Sequence, residues 1–448
     1  MDRSSTGTPD DRDPRPGGTG RVPTGPARDA LALLEDTAPG QWVPDVLGPG
    51  FSHTTLPQGA DEEGPVVSTL VRYRPEDAAP AGHGDGDARP PWWAPLALDV
   101  RAGLDRMLAT AARRPGTRGA GRAAPGGSRD AAADGPSGRP ATDSGSGPTV
   151  VLALHGWTDY FYNTGLARFW AARGARFYAL DLRRFGRSLR PWQTPGFVTD
   201  LAEYDDDLAA ALTAIRADVG RVGRFVVCAH STGGLIASLW ADRHPGTVDA
   251  LVLNSPWLEM QGSWLVRYAA AGIVDPVARL RPRARLKLPE TDHYWQSLSG
   301  EAHGEWELHP LWRPRLAFPV TAGWISAVLA GHARVARGLD VGCPVLVLTS
   351  DRTHLGTQFD AEMLLTDTVI EVDTVRQRAL KLGREVSVVA VRHAMHDVFT
   401  SSAGPRAEAY AAVGRWADGY LRSASAAPRQ TPVAESGRGS SGASTAAP

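Results

Sequence analysis

The chain is predicted to fold as an α/β protein: a mostly parallel central sheet with helices on both faces and a helical segment inserted before its last strands. Three observations predict this. From Val150 onward, short apolar runs alternate with segments whose apolar residues recur every three or four positions, which is the pattern of buried strands joined by crossover helices. The runs show no inside-outside alternation, so both of their faces are buried, as in a parallel sheet. Residues 255–340 then break the rhythm with Trp257, Trp264, Trp295, Trp306, Trp312 and Trp324 among short helical patches.

Taken in order, residues 1–28 are rich in Asp, Arg, Pro, Gly and Ser and form an expected disordered tail. Residues 113–148 (RRPGTRGAGRAAPGGSRDAAADGPSGRPATDSGSGP from Arg113) and 423–448 share that composition. None offers an apolar periodicity able to offset an ordering cost of roughly 1–2 kcal/mol per residue. They are expected to be a disordered insertion and a disordered C-terminal tail around one domain spanning 29–422. The remainder, on the order of 350 residues, suits one large α/β domain better than two independent ones.

Within that domain, Val66–Tyr73 reads as an edge strand, in a hairpin with the segment around Phe51–Thr54 across the turn-like Gly59–Gly64. Residues 90–112, with Trp92, Trp93 and a helical LALDVRAGLDRMLATAA, have no defined place in the sheet. The strands that follow are Thr149–Leu154, Ala175–Leu180, Arg224–Cys228, Ala250–Leu253, Pro344–Leu348 and Val386–Val391. Asp200 can cap a crossover helix with apolar positions Leu201, Tyr204, Leu208, Leu212 and Ile215. The aromatic block 255–340 reads as a helical lid over a site at the carboxyl ends of the strands, although any single tryptophan there could equally serve a larger core.

Charge and composition exclude several classes of function. Lys plus Arg number 48 against 49 Asp plus Glu, a net charge of -1, so no field draws in nucleic acid or an anionic bilayer. The Arg clusters at 113–122 and 279–285 read as solvated surface. No apolar run reaches the roughly 18 to 20 residues of a transmembrane segment, and MDRSSTGTPDDRDPRPGG lacks the apolar core of a secretory signal, so a cytoplasmic location is expected. Cys228 and Cys343 each sit in a strand-like run, where a free thiol acts as a small hydrophobe rather than half of a disulfide.

The strongest local signal is Cys228-Ala229-His230-Ser231-Thr232-Gly233-Gly234, between a strand and a helix running through Leu235, Ile236, Leu239 and Trp240. This is the setting of a nucleophile elbow, a strained turn that tolerates only small neighbours. Ala229 and Gly233 supply them, with Ala229 departing mildly from the usual glycine. Directly after the first parallel strand comes Leu154-His155-Gly156-Trp157-Thr158-Asp159. In an elbow fold the oxyanion is held by the amide after the nucleophile and by one from this loop, which makes Thr232 and Trp157 the expected donors.

A serine hydroxyl needs a base, and the base needs an orienting carboxylate. After Val386–Val391 come two candidates, His393 and His396. His393 continues the strand and is expected to be structural, whereas His396 falls on the loop beyond it and is expected to be the base. A metal site built from His393, His396 and Asp397 is weaker, since no matching ligand cluster occurs elsewhere, and no cofactor is called for. The carboxylate should follow the strand Pro344–Leu348, and two residues qualify, Asp351 and Asp367.

Four elements together resemble the monoacylglycerol lipase, lysophospholipase and serine aminopeptidase-like (S33) branch of the α/β-hydrolases: His155-Gly156, Asp181-Leu182-Arg183-Arg184-Phe185-Gly186-Arg187-Ser188, the His-Ser-x-Gly-Gly elbow at His230, and Ala394-Met395-His396-Asp397. The resemblance covers roughly residues 40–75 and 149–420. It implies that the acid is Asp367, followed by Thr368-Val369-Ile370, with Asp351 as the alternative. Residues 349–366 are then an insertion, and Thr353 stands where the acid would otherwise fall. Residues 181–188 become a structural loop beside the site. The implied activity is hydrolysis of a small-molecule ester with an apolar acyl chain, such as a monoacylglycerol or lysophospholipid. A small-substrate peptidase or amidase, which would need a pocket carboxylate such as Glu259, Asp275, Glu290 or Asp292, and a non-catalytic ligand-binding relative are the competing readings.

Overall fold

The computed structural model describes residues 36–78, 147–260, 274–287 and 291–423. The expectations for residues 1–28, 90–112, Trp264, Glu290, nearly all of 113–148 and all but the first residue of 423–448 lie outside these residues. Two residues assigned to the disordered insertion belong to the fold instead, because Gly223 N donates to Pro148 O at 3.0 Å and Gly147 packs against the backbone of Arg221 and Gly223.

The described strands are β1 (Val43–Pro44), β2 (Phe51–Asp61), β3 (Gly64–Tyr73), β4 (Thr149–Leu154), β5 (Arg176–Asp181), β6 (Arg224–His230), β7 (Ala250–Asn254), β8 (Val345–Ser350) and β9 (Val386–Val391). They form one sheet in the order β1-β2-β3-β5-β4-β6-β7-β8-β9. From β5 to β9 every pairing is parallel, and the N-terminal hairpin adds three antiparallel pairings. The expected edge strand, Val66–Tyr73, is interior. It pairs with β2 on one side and with β5 on the other, in the register Thr69↔Asp181. Its hydroxyls are buried and satisfied: Gln58 Nε2 donates to Ser68 Oγ and Ser188 Oγ to Thr69 Oγ1.

Helices cover both faces. On one, α1 (Thr164–Ala172) and α8 (Ala403–Ser423) bury Leu166, Trp170, Ala409, Val413 and Trp416 against Val151, Phe177, Val226 and Cys228. On the other, α2 (Tyr204–Val219), α3 (Thr232–Arg243), α6 (Ala322–Arg337) and α7 (Val372–Ala379) pack on Leu152, Leu180, Val227 and Leu253. The short helices α4 (Val274–Leu280) and α5 (His293–Leu298) lie in the segment between β7 and β8. Asp200 and Glu203 form a reciprocal capping box ahead of α2, which satisfies amides that a helix start leaves without partners. Within 255–340, α6 contributes Trp324, Ile325, Val328 and Val335 to the main core. The last part of that block is therefore a core helix.

A buried charge cluster fastens the N-terminal hairpin to the sheet. Arg187 donates to Asp45 at 2.7 and 2.8 Å, to Asp181 at 2.9 Å and to Phe161 O at 3.0 Å. Burial by itself would raise the Asp45 pKa, but the Arg187 guanidinium and the His53 hydrogen bond outweigh it and hold the carboxyl well below the usual range. Gly186, at φ 46°, leaves no room for a Cβ, which would lie 2.4 Å from Asp181 Oδ2. The loop 181–188 thus has a structural reason for each of these residues.

Candidate active site

At the carboxyl end of β6 the chain turns at Ser231 with φ 51° and ψ −118° and enters α3 at Thr232. A positive φ at a residue other than glycine costs on the order of 1–3 kcal/mol and persists only where the surroundings impose it. Here they do. Ser231 N donates to Asn254 O at 3.0 Å, while Ser231 O accepts from Gly234 N and Trp257 N at 2.9 and 3.0 Å. Space around the turn is equally restricted: a Cβ on Gly233 would lie 2.3 Å from His155 O, and one on Gly156 would lie 3.0 Å from Ser231 Cβ. The turn after β4 is therefore pressed directly against the serine.

His396 reaches Ser231 from the loop after β9. Its Nε2 lies 3.0 Å from Ser231 Oγ and its Nδ1 lies 2.8 Å from Asp367 Oδ2. The carboxylate accepts a hydrogen bond from Nδ1–H, so Nε2 presents a lone pair to the serine hydroxyl. Asp367 is fully buried, and its other oxygen accepts from Val369 N and Ile370 N at 2.8 Å each. Three polar groups thus fix one carboxylate in the orientation that the imidazole needs.

Asp351 sits elsewhere. It accepts from His393 N at 3.0 Å, holding the turn that precedes His396. His393 is exposed, at φ 57°, so it occupies that left-handed turn rather than the continuation of β9 expected from the sequence. Thr349 and Ser350, expected to open an insertion, instead complete β8 and pair with β9. The chain loops out only after Thr353 and returns beside it at Asp367. Thr353 Oγ1 donates to Ile370 O and accepts from Val372 N. The residue that stands in the acid's sequence place thus braces the acid's loop.

The loop after β4 carries Trp157. Leu182 N donates to His155 Nε2 at 3.0 Å, which leaves Nδ1–H to donate to Gly156 O at 2.8 Å. In a trans peptide the N–H points opposite to the carbonyl, so His155 sets the direction of the Trp157 amide. The Trp157 ring lies against Trp324, with centroids 3.7 Å apart, and Trp257 continues the row at 5.9 Å from Trp324. Phe185 and Phe318 meet Trp157 edge-on. One side of the site is thus apolar and aromatic.

The opposite side contains residues that sequence reasoning missed. Asn254 accepts from Val398 N and donates from Nδ2 to Asp397 Oδ1 at 2.6 Å, fixing the loop that presents His396. A polar residue at the end of an apolar strand was the one available signal. The Tyr294 ring stands edge-on to His396 at 5.2 Å, and burial pushes its hydroxyl well above the usual range. His230 packs 4.9 Å from His396 and donates to Asn254 O. Burial lowers its pKa, so it adds no positive charge beside the imidazole. Asp159 and Arg313 form a buried ion pair. A small, mostly apolar cavity of about 40 Å³ lies behind the elbow, lined by Ala153, Phe161, Ala229 and Phe399 as well as by His155 and His230, far below the roughly 300–1,000 Å³ of a substrate pocket.

Comparison with known proteins gives this arrangement a family. Residues 147–398 match the family model described as serine aminopeptidase, S33. The chain is 25% identical over 238 residues to lysophospholipase L2 of Escherichia coli K12, an alignment covering 48% of this chain and 64% of that protein. It is 32% identical over 136 residues to lipase LipV of Mycobacterium tuberculosis, covering 29% and 46%. The chain thus spans less than two thirds of the length of either relative. Among solved structures, the monoacylglycerol lipase of Paleococcus ferrophilus aligns with 18% identity and a TM-score of 0.47, over 61% of this chain and 97% of that one. Because the matched model spans more than half of its 448 residues, the chain belongs to the serine aminopeptidase S33 family of α/β-hydrolases.

Proposed function

We propose that this protein is a serine hydrolase that cleaves a carboxylic ester with an apolar acyl chain through an acyl-enzyme on Ser231. The observation that carries the reading is the continuous chain of contacts from Ser231 Oγ through His396 to Asp367, 3.0 and 2.8 Å long. His396 Nε2 takes the hydroxyl proton as Oγ attacks the ester carbonyl. The Trp157 and Thr232 amides donate to the resulting oxyanion, each worth roughly 3 kcal/mol in the transition state. The imidazolium, balanced by Asp367, returns its proton to the leaving alkoxide. Water, deprotonated by the same imidazole, then attacks the acyl-enzyme and releases the acid.

Support for an apolar acyl group comes from the row Trp157–Trp324–Trp257 beside the nucleophile. The names of the relatives, a lysophospholipase and a lipase, support a lipid ester such as a lysophospholipid, with a monoacylglycerol as the other substrate to be tried. In this reading residues 29–422 are one catalytic domain, and the part of the segment between β7 and β8 that precedes α6 covers the site. A peptidase would need a carboxylate to receive a substrate amine, and the described candidates are engaged. Glu259 is bonded to Arg378, Asp275 to Ser326, and Asp292 to Arg315 and Gln296.

No helix of the described residues is long and apolar enough to cross a membrane. A cytoplasmic location accords with Cys228 and Cys343 being buried free thiols, as in a reducing compartment. The test is turnover of monoacylglycerols, lysophospholipids and aminoacyl amides by the wild type and by Ser231→Ala. Release of fatty acid by the wild type alone is expected. Ester hydrolysis undiminished in Ser231→Ala would refute the mechanism.

A further inference from the structure

We propose that Arg313 is a positioning residue: through Asp159 it locks the turn that carries the Trp157 amide, so that residues 309–318 are a fixed part of the site rather than a moving cover. This rests on the serine-hydrolase reading above. The turn Gly156–Asp159 cannot hold its shape alone, because Thr158 adopts φ 53°, a conformation that a β-branched residue avoids. Its position also matters directly, since Gly156 is in contact with Ser231.

Residues 309–318 supply the restraint at three successive points. Arg313 Nη1 bonds Asp159 Oδ1, with both side chains buried, and Asp159 Oδ2 accepts from Gly156 N at 3.4 Å. Phe318 N donates to Thr158 Oγ1 at 2.9 Å. His309 N donates to Tyr160 Oη at 3.0 Å. The segment is itself stiff: Pro310 and Pro314 limit its backbone, and His309 stacks on Trp312 at 3.9 Å.

Arg313 also lies beside the ring that packs on the base. Its guanidinium lies 5.1 Å from the Tyr294 ring centroid, and Tyr294 is the ring that meets His396 edge-on. One cation from the segment between β7 and β8 therefore touches supports of both halves of the site. It takes no part in bond making. Its effect runs through the direction of the Trp157 amide, so it should change transition-state stabilisation more than substrate binding.

The experiment compares wild type, Arg313→Lys, Arg313→Gln and the double variant Arg313→Gln/Asp159→Asn, all in the full chain. Asp159→Asn removes the carboxylate that Arg313→Gln would leave buried without its cation, so the double variant separates folding from positioning. The readouts are thermal midpoint, kcat and KM on p-nitrophenyl butyrate, and the rate ratio between this ester and its thionoester, whose sulfur is a poorer hydrogen-bond acceptor. Arg313→Gln is expected to lose on the order of tenfold to a hundredfold in kcat, with KM within about threefold, and to lower the ester-to-thionoester ratio. Arg313→Lys should recover part of the loss. The double variant should regain the midpoint but not kcat. A double variant with wild-type kcat, or a change confined to KM, would overturn the proposal while leaving the hydrolase reading intact. A wild type that turns over no ester would overturn both.

Discussion

Ser231 illustrates how one residue can be specified by its neighbours rather than by its own preference. Its φ of 51° is tolerated because Asn254, Gly234 and Trp257 each bond its backbone and because Gly156 and Gly233 leave room for the turn. Adding a Cβ at Gly233, 2.3 Å from His155 O, must displace backbone. Gly233→Ala is therefore expected to lower the thermal midpoint and to abolish turnover, as read by calorimetry and ester hydrolysis. The two aspartates differ in the same local terms. Asp367→Asn should cut kcat by roughly 10⁴, as loss of the orienting carboxylate does in a serine triad. Asp351→Asn, which loosens only the His393 turn, should stay within about tenfold of wild type. Both are read from kcat on p-nitrophenyl butyrate, and equal losses would contradict the geometry.

Elements were legible where one local rule decided them. β4 starts and ends where its apolar run does, because a strand buried on both faces can use little else. β9 keeps its expected bounds too, but as the edge strand of the sheet it buries only Val391, not both faces as its run suggested. The expected cap Asp200 does open the crossover, starting the 3-10 turn Leu201–Glu203 that leads into α2. The acid loop was not legible in that way, since its position depends on Thr353 bridging to Asp367 across a looped-out segment, a pairing no local pattern announces. The α6 helix shows what tertiary packing adds. His332 Nε2 donates to Trp257 O at 2.8 Å, and its Nδ1 is buried without a partner. Burial pushes its pKa down to about 4. The unfolded chain therefore takes up a proton near the ordinary value of about 6.5 that the folded protein refuses. Nothing is lost above that pH, and stability falls as pH drops from about 6.5 to about 4, by roughly 3 kcal/mol in all. His332→Gln, which keeps an N–H for Trp257 O, should flatten this stretch of a pH series of denaturant midpoints. An unchanged slope would assign the acid sensitivity to other groups.

At the scale of the molecule, the features that sequence could not reveal are those joining distant segments. Arg187 joins Asp45 to Asp181, and Arg313 joins the segment after β7 to the turn after β4, across 154 positions. A charged residue in a chain does not announce a buried partner, so Arg313 carries no expectation in the sequence and Arg187 is placed there only in a structural loop, and that by resemblance. Breaking such a buried pair is strongly destabilising, about 3–5 kcal/mol. Arg187→Met should accordingly lower the unfolding free energy by that order, read from denaturant midpoints, while leaving the contacts among Ser231, His396 and Asp367 in place. The site itself was more legible than these supports, because its residues follow strand ends in a fixed chain order. The measurement that tests the account most directly is labelling of the full chain with a fluorophosphonate, with the modified peptide identified by mass spectrometry in wild type, His396→Ala, Asp367→Ala and Asp351→Ala. The expected result is a single adduct on Ser231, lost or greatly slowed without His396 or Asp367 and retained without Asp351. Absence of the adduct from folded wild type, or labelling indifferent to His396, would contradict it.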